Sequence, residues 1–132
     1  MGTQETAGSS AVRIRRRSAG QKGLLRREGE YWTIEYDGLL VRTRDSKGVR
    51  YLSAILGRPG EVVSALELEG ATDRSPVATE RARLNVTRRI RAARERIALI
   101  HPSLGAHLEA TVRTGKSCCY RPDPRVPIRW QV

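Results

Sequence analysis

TERARLNVTRRIRAARERIALI, residues 79–100, is the stretch on which the reading of this chain turns. Winding it at a helical 100° per residue brings Ile90, Ala93, Ile97 and Ile100 within about 40° of Val86, the stripe of a helix that buries one side. Arg81, Arg88 and Arg91 point almost directly away from that stripe. Arg83, Arg89, Arg94 and Arg96 fall on its flanks, where long stems can cover apolar surface while their heads stay in water. Thr79 is the expected N-cap, followed by Glu80 at the positive end of the helix dipole. Asn85 and Thr87 lie in the first half, on opposite sides. A rod anchored along one side and cationic along the other, with Asn and Arg near its start, has what a major-groove reader needs: charge for phosphates and flat bidentate donors for base edges. The alternative for this stretch is a solvated, arginine-rich surface helix.

The chain has 132 residues and a formal net charge of +11, and 22 of its 25 basic residues are arginine. The charge is unevenly placed: residues 1–30 carry +4, residues 31–79 carry −1, residues 80–100 carry +5 and residues 101–132 carry +3. Three cationic segments around a neutral platform point to a polyanion partner. With no Phe and 5% aromatic residues, the core must be small and aliphatic. No apolar run approaches a membrane span, and the N-terminus lacks the apolar segment of a secretory signal, so a cytoplasmic, nucleoid-associated protein is expected.

Working outward, residues 1–29 are rich in Gly, Ser and Arg without apolar period and are expected to form a disordered basic tail. Arg13, Arg15, Arg16 and Arg17 within it make a cationic arm suited to phosphates or a minor groove. Residues 30–132 form the expected folded domain. YWTIEY (31–36), Asp37-Gly38 and LLVRTR (39–44) read as a hairpin, since Asp-Gly suits the two positive φ angles of a type I′ turn. Asp45 is the expected cap of a helix to about residue 55, with Val49, Leu52, Ile55 and Leu56 inward and Gly57 ending it. Ser64 and Glu67 have capping-box spacing and open a short helix closed by Gly70.

Beyond the long helix, Pro102 enforces a stop, and residues 103–109 have room for one or two turns with Leu104 and Leu108 inward. Residues 110–114 and 117–120, joined by Gly115-Lys116, form a second hairpin candidate. Residues 128–132 alternate and read as an edge strand carrying Trp130. On a strand, one of the adjacent thiols Cys118 and Cys119 would be buried and the other exposed.

Three helices, the third basic, followed by a hairpin with a cationic tip follow the order of a winged helix. The N-terminal hairpin makes the match narrower. Ile55-Leu56-Gly57-Arg58-Pro59-Gly60-Glu61-Val62-Val63 resembles the junction after the first helix in OmpR/PhoB-type effector domains of bacterial transcriptional regulators. Ile90-Arg91-Ala92-Ala93-Arg94-Glu95-Arg96-Ile97 is similar to the pattern of their recognition helix, and Thr111-Val112-Arg113-Thr114-Gly115 with Cys119-Tyr120 to their wing. The resemblance covers about residues 31–121. It departs where residues 101–109 intervene between helix and wing, and in residues 121–132, and no receiver domain accompanies it.

The resemblance implies an α+β winged helix-turn-helix with an N-terminal β-hairpin, three main helices and a C-terminal β-hairpin wing. It further implies a sequence-specific transcription regulator of double-stranded DNA. Arg81, Asn85, Arg88 and Arg91 are then the base readers, with Arg suited to guanine and Asn to adenine. Arg42, Arg44, Lys47, Arg113 and Lys116 would hold backbone or minor groove. Leu84 shares the exposed face, within reach of a thymine methyl or of the preceding loop.

No Gly-rich phosphate loop, GxSxG or HExxH is present, so no enzyme, cofactor or metal is expected. His101, His107, Cys118 and Cys119 do not make a zinc set, because adjacent cysteines lack the two-residue gap. For His107 a surface helix position is the default expectation. Two rivals share the charge: a module docking on RNA polymerase or another regulator, and an RNA or ribosome binder, which would need exposed aromatics for stacking. Whether the protein is a monomer or a dimer stays open.

Overall fold

A computed structural model describes residues 21–132, so the expected arm at Arg13, Arg15, Arg16 and Arg17 lies outside the described residues. The described chain is α+β, with four helices and two sheets. The first sheet is larger than the expected two-stranded hairpin. Strands β1 (Gln21–Glu28), β2 (Tyr31–Tyr36), β3 (Leu39–Arg44) and β7 (Ile128–Gln131) lie in the order β3-β2-β1-β7, with β7 parallel to β1. Residues 21–28, assigned to the tail from their composition, are thus a strand, and the domain starts earlier than residue 30. Its apolar period is hidden because one inward position is Gly23. Trp130 of β7 lies against that glycine, and a Cβ there would sit 2.6 Å from the indole.

The expected Asp-Gly turn forms, with φ of 53° at Asp37 and 81° at Gly38, both in the region a type I′ turn requires. One face of the sheet buries Leu25, Trp32, Ile34, Tyr36, Thr43 and Ile128 against the helices.

Helix α1 (Lys47–Leu56) is capped by Ser46, whose Oγ accepts from the Val49 N–H at 3.3 Å. Asp45, the expected cap, has other partners: it accepts from Trp32 Nε1 at 2.8 Å and Arg50 Nε at 3.1 Å. These donors, with Arg27 at 3.1 Å, hold its carboxyl well below the usual carboxylate range. Strand β4 (Val63–Ser64) leads into α2 (Ala65–Glu69). Ser64 Oγ caps α2 through the Glu67 N–H at 3.0 Å, and Gly70 ends it at φ 68°. Only the forward half of the capping box is made, since the Glu67 carboxylate accepts from Arg58 at 2.9 Å.

The long helix α3 (Pro76–Ile100) starts three residues before the expected Thr79. Ser75 is its cap and Pro76 its first residue, where a missing N–H costs nothing. Val86, Ile90, Ala93 and Ile97 are buried as the stripe predicts, and Ala82 is buried with them. Ile100, expected with them, is 42% exposed, because it ends the rod where the chain turns away at His101.

Helix α4 (Pro102–Thr111) replaces the expected one or two turns and buries Leu104 and Leu108. It packs back on α3 where Gly105 meets Ala98, a Cβ at Gly105 being 2.5 Å from the alanine methyl. His101 joins the two helices: its Nδ1 accepts from the Leu104 N–H at 3.2 Å, which leaves Nε2–H to donate to the Tyr36 carbonyl at 2.9 Å.

The second hairpin forms from β5 (Val112–Arg113) and β6 (Ser117–Tyr120), shorter on its first side than expected. Strand β4 adds to it, giving a three-stranded sheet in the order β4-β6-β5. Both Cys118 and Cys119 are buried, against the expected alternation. Arg121 covers the second one, its Nε 3.3 Å from Cys119 Sγ. Among the described residues no helix is long and apolar enough to cross a membrane.

Candidate nucleic-acid interface

Helix α3 is buried along one stripe and open on the side opposite it. Helix α1 crosses it at Gly48, where a Cβ would fall 2.1 Å from the Arg89 carbonyl oxygen, so only glycine lets the two backbones approach. Helices α2 and α4 pack along it as well. With its apolar stripe fixed inward, Arg81, Arg88 and Arg91 are carried into solvent.

The seven arginines of this helix are not equivalent. Arg83 is held by Glu80, its Nε 3.0 Å from the carboxylate, and Arg89 lies 3.9 Å from Glu69. Arg96 donates to Ser46 Oγ at 3.1 Å. Arg81, Arg88, Arg91 and Arg94 have no ion-pair partner among the described residues. Arg88 Nη2 lies 3.3 Å from Asn85 Oδ1, which aligns its guanidinium along the helix. Three of the four expected base readers are therefore exposed, and the fourth, Asn85, is half-buried beside Arg88.

The Gly115-Lys116 turn comes to the start of the same helix. The Lys116 carbonyl accepts from the Ala65 N–H at 2.9 Å, which pins the turn to α2. The Glu80 carboxyl sits below its ordinary value, first through its bond to Arg83 and also through the nearby charges of Arg83 and Lys116. Lys116 itself is exposed. Arg113 is also exposed, with Nη1 3.3 Å from the Ala110 carbonyl. Lys47, the first residue of α1, is exposed next to Ser46 and so neighbours Arg96 on the other half of α3.

Arg42 and Arg44 do not join this surface. Both point from β3 to the face of the four-stranded sheet that turns away from the helices, and they lie over Tyr31. Sequence alternation places them there, but it does not say which face of the sheet the helices cover.

Leu84 was expected on the exposed face; the apolar groove it forms with Val77 and the partial burial of His107 were not anticipated. Val77 is 67% and Leu84 51% exposed, and with Pro76, Glu80 and Arg81 they line a shallow groove on the first half of α3. His107, expected on the surface, is instead half-buried between Tyr36 and Tyr120, stacked on the former at 5.3 Å between ring centres. Its Nε2 is 2.8 Å from Tyr120 Oη, to which Trp130 Nε1 donates at 3.0 Å. This cluster ties β7 to β6 and leaves α3 free of it. Its signal in the sequence was only the count of His, Tyr and Trp, which says nothing of their meeting.

Compared with protein-family models, curated proteins and solved structures, the chain matches none.

Proposed function

We propose that the protein binds double-stranded DNA in a sequence-specific way, as a bacterial transcription regulator of winged-helix type working in the cytoplasm at the nucleoid. In this reading α3 enters the major groove by its exposed face from Arg81 to Arg91, and the Gly115-Lys116 turn lies on adjacent backbone as the wing. The order α1, β4, α2, α3, β5, β6, with its β4-β6-β5 sheet, supports that assignment. Helix α4 is then an insertion between reading helix and wing.

One observation carries the proposal. Among the described residues Arg81, Arg88 and Arg91 have no ion-pair partner and stand in solvent on a helix whose opposite stripe is buried, and Lys116 approaches the start of that helix. Cations left without partners on a rigid rod favour an anionic ligand that supplies the partners. A rod about 10–12 Å across with its side chains fits a major groove about 12 Å wide. Arg88, aligned by Asn85, is the residue placed for a bidentate contact to guanine, and Lys116 and Arg113 for phosphate. Selection of bound duplexes from a random pool tests the reading: a recurrent motif is expected, and enrichment without a motif would reduce it to non-specific binding.

The groove of Val77 and Leu84 favours a second reading, in which α3 docks on a protein such as RNA polymerase and its arginines face acidic residues. The two differ in salt response. Phosphate neutralisation gives a steep loss of affinity with salt, whereas apolar docking does not.

A further inference from the structure

The face of the four-stranded sheet that turns away from the helices is the second cationic surface of the molecule. Residues paired across strands share a face. The registers therefore gather Lys22 and Arg26 of β1, Arg42 and Arg44 of β3 and Arg129 of β7 on it, against the carboxylates of Glu28 and Glu35, with Glu30 of the β1–β2 turn 3.5 Å from Arg44. All five cations are exposed. Tyr31, 41% exposed, lies at the end of this face where Glu28 and Arg44 pair with it, the Arg42 and Arg44 guanidinium carbons 5.1 Å and 5.8 Å from its ring centre, while Lys22 and Arg129 pair at the opposite end. Leu40 extends the patch from the same face of β3.

We propose that this face binds an unpaired nucleic-acid strand, stacking a base on the platform of Tyr31 and its two arginines and holding phosphates with the cations that run along the sheet away from it. An aromatic ring held among guanidiniums on an open sheet offers π-surface and positive charge together, which is what a base and its phosphate present to a single-strand binder. A second duplex fits less well. Its bases are stacked away, the sheet has nothing projecting to enter a groove, and Tyr31 and Leu40 would then face water without a role. An acidic peptide would use the arginines but has no need of the ring. The inference stands on a different surface from the duplex reading, across the core from α3.

Fluorescence anisotropy with a labelled oligothymidine of about 12 nucleotides tests it. Wild type binds, and Tyr31→Phe, which keeps the ring, stays within about twofold. Tyr31→Ala and Tyr31→Leu, the latter keeping the apolar cover, each weaken binding by about fivefold or more, as loss of one stacked base requires. An Arg42→Ala/Arg44→Ala variant does likewise, while Arg88→Ala/Arg91→Ala on α3 leaves oligothymidine binding within about twofold. The proposal is overturned if oligothymidine does not bind, or if both Tyr31→Ala and Tyr31→Leu bind it as wild type does. Displacement by polyglutamate with equal strength from wild type and Tyr31→Leu would assign the face to an acidic protein instead. Loss of oligothymidine binding in the α3 variant would also overturn it. A duplex indifferent to Arg88→Ala/Arg91→Ala sinks the duplex reading alone and leaves this one standing.

Discussion

Arg88 illustrates how much a side chain's neighbours decide what it can do. Among the described residues six arginines, Arg27, Arg44, Arg50, Arg58, Arg83 and Arg125, lie within 3.5 Å of a carboxylate. Arg88 has, among the described residues, only the neutral oxygen of Asn85, at 3.3 Å, so it is oriented without being neutralised. Arg88→Ala is expected to cost about 1–3 kcal/mol on the selected duplex and to relax preference at one base pair. Lys116→Ala should weaken all duplexes alike and lower the salt slope by about one. Equal losses on selected and random DNA for both variants would remove the base-reading role.

His107 gives a prediction of another kind. Burial lowers its pKa from the ordinary 6.5, so the neutral ring is the folded form. The unfolded chain then takes up a proton before the folded one does. The stability this contributes is fully present above 6.5 and is lost as pH falls through the lower folded value. Melting temperature should therefore fall from about pH 7 to pH 5 more steeply in wild type than in His107→Phe. Parallel profiles would show that this ring does not titrate on unfolding.

At the scale of elements, contact between helices depends on what is missing as much as on what is present. Gly48 lets α1 rest on the backbone of α3. Gly48→Ala should force the helices apart and destabilise the fold by about 1–3 kcal/mol in urea unfolding. Ile97→Ala, a cavity under the rod, should cost about 2–5 kcal/mol and leave the binding of the folded protein intact.

The stripe of α3 was legible because its apolar residues recur at helical spacing over many turns. The Asp-Gly hairpin, the short helix after Ser64, the second hairpin and the closing edge strand were legible from turn and capping chemistry. Strand β1 was not, since its inward side chains include a glycine whose filling comes from Trp130, more than 100 residues later. Nor was the true start of α3, because Thr79 and Ser75 are both competent caps and only the Pro76 that follows Ser75 separates them. At the site, exposure of Arg81, Arg88 and Arg91 followed from helical geometry alone. The separation of Arg42 and Arg44 from them depends on which face of the sheet is covered, which no local pattern states.

As a whole, the molecule sets one cationic surface along α3 and its neighbouring turn, and another on the outer face of the four-stranded sheet, with the core between them. Because the two are on opposite sides, a single strand bound to the sheet should not displace a duplex from α3. The central claim concerns only the first surface: the free guanidiniums of α3 hold a double helix. It is tested most directly by titrating a labelled selected duplex at several salt concentrations with wild type and with Arg81→Ala/Arg88→Ala/Arg91→Ala. The account predicts a steep linear fall of log affinity with log salt for wild type, and for the variant a shallower slope with preference over random duplex abolished. Binding that ignores salt, or a variant that binds the selected duplex as wild type does, would contradict it.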